Sequence, residues 1–462
     1  MTMKLKILSA LLLLPLGVAQ AQLPPDTTAQ IDKLVEKALA DSGTPSVSIA
    51  VVNNGKLAYI QAYGNARLSP PTPARPAMRY SIGSVSKQFL AGAFLLLEQD
   101  GKISLDNHVG MYLPGLTRAG DITLRQLLSH TSGYQDYYPL DFVAPFMLQP
   151  VTANDIIDRW ARKPLDFEPG TQWQYSNTGY VVAGKVLEKA TGGAAVSFLR
   201  ERIFAPLGMK TILDLDTEPL TSGDAAGYIR AALGPLRPAI PEARGWLFAA
   251  GELAMTAQDL ALWDISLIER KLLKPAALDA MMTAPRLKSG APQPYALGVA
   301  VGNQNGHPIL RHGGAVSGFT SSNTVWLDQG AALVVFANKN NSSAPGQITR
   351  QIAELLLKEQ LDPQAAAALA QAKQIFNYLQ EGKMDRSLLT AEGSAYFTPK
   401  TVSDYAAGLK PLGTPKAFEQ ASQGHRGGFT FRNFNIVFDS RTLTLTTYTA
   451  SDGKLAQYLI EE

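Results

Sequence analysis

The sequence predicts an α+β protein made of one large domain followed by a smaller one. Three observations carry that expectation. Strand-like stretches at 46–63 and 295–338 flank a long helical middle. The composition shifts at Leu361-Asp362-Pro363, which marks a boundary. Beyond it an Ala-rich helix precedes a run of alternating strands, the pattern of an independent α+β unit. The chain has 462 residues, of which 46% are apolar and 18% charged. That is ample for buried cores and excludes a disordered or fibrous protein. Lys plus Arg number 42 against 39 for Asp plus Glu, a formal charge of +3. No concentrated basic face follows from such a balance, so no nucleic-acid partner is expected. Cysteine is absent, which excludes disulfides, thiolate catalysis, Cys-ligated zinc and a lipid anchor on an N-terminal Cys.

Residues 1–21 read as a secretory signal peptide. Lys4 and Lys6 precede a short apolar run, Ile7 to Val18, and Ala19-Gln20-Ala21 gives the small-x-small cleavage pattern. The expected location is periplasmic or secreted, with no membrane span after cleavage. Residues 22–362 form the large domain. Gln30 to Leu39 has the spacing of an amphipathic helix. Ser46–Val52 and Lys56–Tyr63 are strands joined by Asn53-Asn54-Gly55, a hairpin signal. Ser84 to Asp100 is almost wholly apolar and predicts a buried helix ended by Gly101. From about Ile122 to Thr283 the chain is mainly helical. Strands follow at Leu297–Val301, Ser322–Leu327 and Ala331–Ala337, the last two joined by a turn at Asp328-Gln329-Gly330, and Ile348–Leu357 closes the domain as a helix. Residues 363–462 form the second domain: a helix at Ala365–Leu379, then strands at Phe429–Phe434, Ile436–Phe438, Leu443–Tyr448 and Leu455–Ile460, with a turn at Asp452-Gly453.

Three short motifs carry possible chemistry, and two of them have look-alikes elsewhere in the chain. In Gly83-Ser84-Val85-Ser86-Lys87, Ser84 and Lys87 are three apart and share one helix face. A serine hydroxyl needs a neighbouring base, and a buried lysine is one whose pKa desolvation lowers toward neutrality. Ser451-Asp452-Gly453-Lys454 has the same spelling on a hairpin turn, where nothing buries it. Tyr175-Ser176-Asn177 supplies a phenol that can relay a proton beside a lysine and an amide that can hold Lys87 or a substrate. Tyr63-Gly64-Asn65 repeats that spelling at a strand end. His312-Gly313-Gly314 lies between strand-like segments, where glycines admit a ligand close to the backbone. The N–H of Ala315 is then placed as an oxyanion donor beside that of Ser84.

Ser-x-x-Lys, Tyr-x-Asn and His-x-Gly in this order resemble the serine β-lactamase and penicillin-binding protein family, most closely its class C-like branch with D-aminopeptidases, DD-peptidases and esterases. Leu127-Leu128-Ser129-His130-Thr131-Ser132-Gly133 and the stretch Ala249-Ala250-Gly251 add to the likeness, which covers about residues 25–358. The resemblance implies an antiparallel sheet flanked by helices, plus a helical subdomain, with the cleft between them. It implies Ser84 as acylated nucleophile, Lys87 and Tyr175 as proton-transfer partners with the general-base duty assigned to neither alone, and Asn177 as a positioning residue. Gln135, after the His-Thr-Ser-Gly stretch, is expected to line the cleft with His312, Gly313 and Gly314. The C-terminal segment resembles the small cone-shaped domains of nuclear transport factor 2, an accessory domain covering the cleft or mediating a homodimer. His425 is expected in a loop.

One departure bears on substrate. β-Lactamases commonly carry Lys-Thr-Gly where this chain has His312-Gly313-Gly314, and an imidazole with a pKa near ~6.5 is mostly neutral at pH 7. A fixed positive charge for a substrate carboxylate is thereby lost, and alternation points Arg311 to the other face. The expected function is therefore an exported serine hydrolase acting through a Ser84 acyl-enzyme on a small amide or ester, a D-amino-acid peptide or short ester in particular. The alternatives are a true class C-like β-lactamase and a penicillin-recognising sensor that acylates without turnover. Neither Gly-x-Ser-x-Gly nor His-Glu-x-x-His occurs, and no metal or other cofactor is called for.

Overall fold

A computed structural model of the chain describes residues 23–138, 140–304, 306–357, 364–426 and 428–461. The signal-peptide expectation at 1–21 lies outside them. The chain divides into two compact units between Glu359 and Gln360.

The first unit is organised by a seven-stranded antiparallel sheet. Its spatial order is Pro71–Pro73, Lys56–Leu68, Ser46–Asn53, Ala331–Ala337, Phe319–Trp326, His307–Val316 and Ala300–Gln304. The N-terminal hairpin turns at Asn54 and Gly55, both at positive φ, and pairs Asn53 with Lys56. The central strand Ala331–Ala337 is buried on both faces, and its side chains alternate between two cores. Leu333, Val335 and Ala337 join Val47, Ile49 and Val51 in a core with helices Pro25–Ser42 and Ala344–Leu356. Ala332, Val334 and Phe336 face the other way with Ala50 and Val52, into the large core of the helical subdomain. That core surrounds helix Lys87–Gln99, whose residues from Lys87 to Leu97 are all buried, as a helix apolar on every side requires.

Three elements differ from the sequence reading. Ser84 sits not in the α-helix but on the 3-10 turn Gly83–Ser86 that leads into it. The expected strand Leu297–Val301 begins later, at Ala300, because Gly298 turns the chain at φ +74. A Cβ there would lie 2.8 Å from the Lys87 carbonyl oxygen, so only glycine lets this loop pack on the helix. His312-Gly313-Gly314 lies inside a continuous strand, His307–Val316, instead of between strands.

The second unit has its own core, with Ile375, Phe376, Leu379, Phe434 and Leu445 at its centre. A four-stranded antiparallel meander, Ala417–Arg426, Phe429–Val437, Thr442–Thr449 and Leu455–Glu461, packs with helices Ala365–Gln380 and Pro399–Leu409. The first strand was not foreseen, since its AFEQASQGHR sequence is mostly polar. His425 belongs to that strand, opposite Thr430, and not to a loop. The two segments expected at 429–434 and 436–438 are one strand. Among the described residues, no helix is long and apolar enough to cross a membrane.

Candidate active site

Ser84 owes its position to glycine. Gly83 adopts φ +52, and a Cβ on it would stand 3.0 Å from the Ala315 nitrogen. Gly314 is tighter still: a Cβ would fall 1.9 Å from the Ile82 carbonyl oxygen. Ser321 Oγ also donates to that oxygen at 2.7 Å, tying the neighbouring strand to the same turn. The His312 strand therefore runs against the serine turn at backbone contact, which brings the Ala315 nitrogen beside Ser84.

Lys87 rises beneath Ser84 from the first turn of the buried helix. Its Nζ lies 3.0 Å from Ser84 Oγ, 2.9 Å from Asn177 Oδ1 and 2.5 Å from the Ala250 carbonyl oxygen. It also stands 5.1 Å from the ring centre of Tyr175 and 5.2 Å from that of Tyr180. Burial pulls the Lys87 ammonium down to about 7, against the opposing influence of the Asp136 and Glu252 carboxylates. Tyr175 is hydrogen-bonded to Ser84, and burial pushes its phenol above its ordinary value. Asn177 opens helix Asn177–Thr191, capped by Ser176 Oγ accepting from Gly179 N. Asp136 fixes the amide: Oδ1 accepts from Asn177 N at 2.9 Å and Oδ2 from Nδ2 at 3.2 Å, so Oδ1 of Asn177 is left facing Lys87.

Ser84, Tyr175, Asn177, His312, Gly313, Gly314 and Ala315 line one cleft, with Lys87 buried under its floor. A family model described as Beta-lactamase matches residues 31–357. The chain belongs to the β-lactamase family. It is similar to the putative penicillin-binding protein PbpX of Bacillus subtilis (strain 168), at 27% identity over 70% of this chain and 77% of that protein. A D-aminopeptidase of Brucella canis is 28% identical over 67% of this chain and 60% of its own length. Among solved structures, the D-amino acid amidase from Ochrobactrum anthropi SV3 superposes with a TM-score of 0.62 at 26% identity, over 71% of this chain and 96% of that one. The protein is a serine hydrolase of this β-lactamase family.

In this β-lactamase-family cleft the imidazole of His312 is no anion anchor. Its Nδ1 lies 2.7 Å from the Gly313 carbonyl oxygen, which can only accept, so Nδ1 carries the proton. Nε2 then accepts from the Tyr295 hydroxyl at 2.7 Å. Burial, with the nearby Lys87 charge, pulls the ring down to about 3, so it is neutral at pH 7. Gln135 does not line the cleft: its Nε2 donates to the Pro164 carbonyl oxygen at 2.9 Å, on the outside. Adjacent residues on an extended segment point opposite ways, and it is Asp136 that turns inward. Burial pushes the Asp136 carboxyl up to about 6. Both look-alike motifs lie elsewhere. Tyr63 hydrogen-bonds Asp32 at 2.6 Å, and Ser451 and Lys454 are exposed on a turn of the second unit.

Besides Asp136, three partners of the site escaped the sequence reading. The Ala250 carbonyl and Glu252 flank Lys87, and Glu252 is pushed up to about 8 by burial, with Oε2 lacking a partner. His130 is buried 4.1 Å from the ring centre of Tyr175, and its Nδ1 accepts from Ser176 N at 3.1 Å. It thereby stacks on the phenol and holds the backbone between Tyr175 and Asn177. The His-Thr-Ser-Gly stretch was visible as a family signature, but nothing in its spelling gives that contact.

Proposed function

We propose that this chain is an exported serine hydrolase that forms an acyl-enzyme at Ser84 and acts on a small amide or ester, with D-amino-acid peptides or amides and short esters favoured. The observation that carries the reading is the buried Lys87 amine 3.0 Å from Ser84 Oγ. Its two other polar neighbours are carbonyl oxygens. A neutral amine has two protons for those acceptors and a lone pair for the Ser84 hydroxyl proton.

Lys87 is the base in this account and Tyr175 the acid. Ser84 passes its proton to Lys87 Nζ as Oγ bonds to the substrate carbonyl carbon, and the developing oxyanion is held by the N–H groups of Ser84 and Ala315. The bond to the leaving nitrogen or oxygen then breaks. Tyr175 gives that atom its proton and recovers one from the Lys87 ammonium. Water reverses the sequence on the ester, which frees the acid and restores Ser84. A phenol pushed above its ordinary value stays protonated at neutral pH, which suits the acid and not the base.

The D-aminopeptidase and D-amino acid amidase relatives support the substrate class. Export rests on the pattern at residues 1–21. The second unit holds none of these residues and enters the proposal only as an accessory domain resembling nuclear transport factor 2, with a homodimer as its expected partner. A second reading, acylation by a penicillin with fast or slow release, has the penicillin-binding relative behind it. The test is hydrolysis of p-nitrophenyl acetate and D-phenylalanine amide by the wild type, Ser84→Ala and Ser451→Ala. Loss in Ser84→Ala alone is expected. Equal rates in Ser84→Ala and wild type would sink the assignment.

A further inference from the structure

The cleft over Ser84 has a volume of about 870 Å³ and largely apolar walls. Phe142, Met147 and Leu247 form part of them, with Ile229 and Ile240 at either end of the hairpin segment 228–240. Among the described lining residues there is no Lys or Arg, and the one imidazole, His312, is neutral. A single formal charge remains, that of Glu242.

Backbone contacts on two sides place this carboxylate. Glu242 Oε1 accepts from Ser317 N at 2.7 Å. The next residue, Ala243, donates its N–H to the Met147 carbonyl oxygen at 2.9 Å, so Glu242 stands between the apolar wall and the end of the His312 strand. Ser317 lies two residues beyond Ala315, and two residues of extended chain span at most about 7 Å. The α-amino nitrogen of an amino-acid amide is two bonds from its carbonyl carbon. A carbonyl oxygen held at Ala315 N would thus leave that nitrogen within reach of the Glu242 carboxylate.

We infer that Glu242 is a specificity-determining residue: it receives the free ammonium group of an amino-acid amide or ester with an apolar side chain, and the cleft rejects carboxylates. The inference rests on the Ser84 hydrolase reading above. An ammonium ion entering this apolar cleft meets one opposite charge that replaces its lost hydration. A carboxylate in the same place meets Glu242 and no compensating cation, so its exclusion is built by repulsion as well as by the missing anchor.

The test uses the p-nitroanilides of three acids alike in shape: phenylalanine in both enantiomers (cationic), 3-phenylpropanoic acid (neutral) and benzylmalonic acid (anionic). The wild type is expected to prefer at least one phenylalanine enantiomer over the neutral compound by about 10- to 100-fold in kcat/KM, the range of one hydrogen bond to a charged group. The anion is expected to be the slowest. Glu242→Gln should collapse the ratio of cationic to neutral rates, and Glu242→Asp should restore part of it. A purely structural role would lower all three rates together and leave the ratio intact, and that outcome overturns the inference. So does a wild type without charge preference. Ser84-dependent cleavage of p-nitrophenyl acetate separates the two levels: its absence overturns the hydrolase reading itself, whereas its presence without charge preference overturns only the role of Glu242.

Discussion

Lys87 has three polar neighbours, and only two of them must be given a proton. That count supports Lys87 as the proposed base, because Ser84 Oγ is the neighbour able to donate as well as accept. A group pulled down to about 7 is protonated below that pH and an amine above it. Acylation, followed as kcat/KM, is therefore expected to rise with pH through the region of 7 and level off above it. A limb that falls through that region would contradict Lys87 as base. Lys87→Ala should cut acylation by about 10²–10⁴-fold, the usual range for a lost acid–base group, read by stopped-flow with a p-nitrophenyl ester. Asp136 is expected to tune the limb. Its carboxylate favours the charged form of Lys87, so Asp136→Asn should move the limb to lower pH while kcat falls, since Asn177 loses its anchor. An unmoved limb would show that the carboxylate does not sense Lys87. At this scale the sequence singled out Ser84, Lys87, Tyr175 and Asn177 as candidates by type and spacing, and the structure brings the four together. Asp136 was hidden beside Gln135, because only the folded backbone decides which of two neighbouring polar residues turns inward.

The elements meet at the site through glycine. The His312 strand approaches Ser84 as closely as it does because position 314 has no Cβ to strike the Ile82 carbonyl oxygen. Gly314→Ala must push the strand and the serine turn apart. Overpacking of this kind costs about 1–3 kcal/mol of stability and moves the Ala315 N–H away from the reacting carbonyl. The expected result is a kcat loss of about 10²–10³-fold, the scale of one lost oxyanion donor, with a lowered Tm. Wild-type kcat in a folded Gly314→Ala protein would remove Ala315 from the site. Element types were legible where patterning was strong, as in the apolar helix Lys87–Gln99 and the doubly buried strand Ala331–Ala337. They were missed where a contact distant in sequence decides. Gly298 delays a strand to lie on the Lys87 carbonyl, and Ala417–Arg426 is polar yet pairs along the meander edge.

The chain divides into two units, and among the described residues none belongs to the hydrophobic cores of both. Separate cores break the conditions for a single cooperative transition, so the calorimetric unfolding enthalpy should exceed the van't Hoff value. Equality of the two would mean that the units unfold as one. The composition shift near residue 361 is the sequence feature that suggests a division, because a second core needs its own run of apolar periodicity. What substrate the cleft takes was less legible, since its walls come from segments as far apart in sequence as Phe142, Ile240 and Val316. The measurement that tests the central claim most directly is an acid-quenched intact-mass time course with a short p-nitrophenyl ester and, in parallel, a penicillin, followed by peptide mapping. The account predicts an acyl adduct from the ester on the peptide that carries Ser84, absent in Ser84→Ala. The penicillin arm shows whether the same serine also accepts a β-lactam. Ester turnover undiminished in Ser84→Ala, or an adduct mapped to another residue, would contradict it.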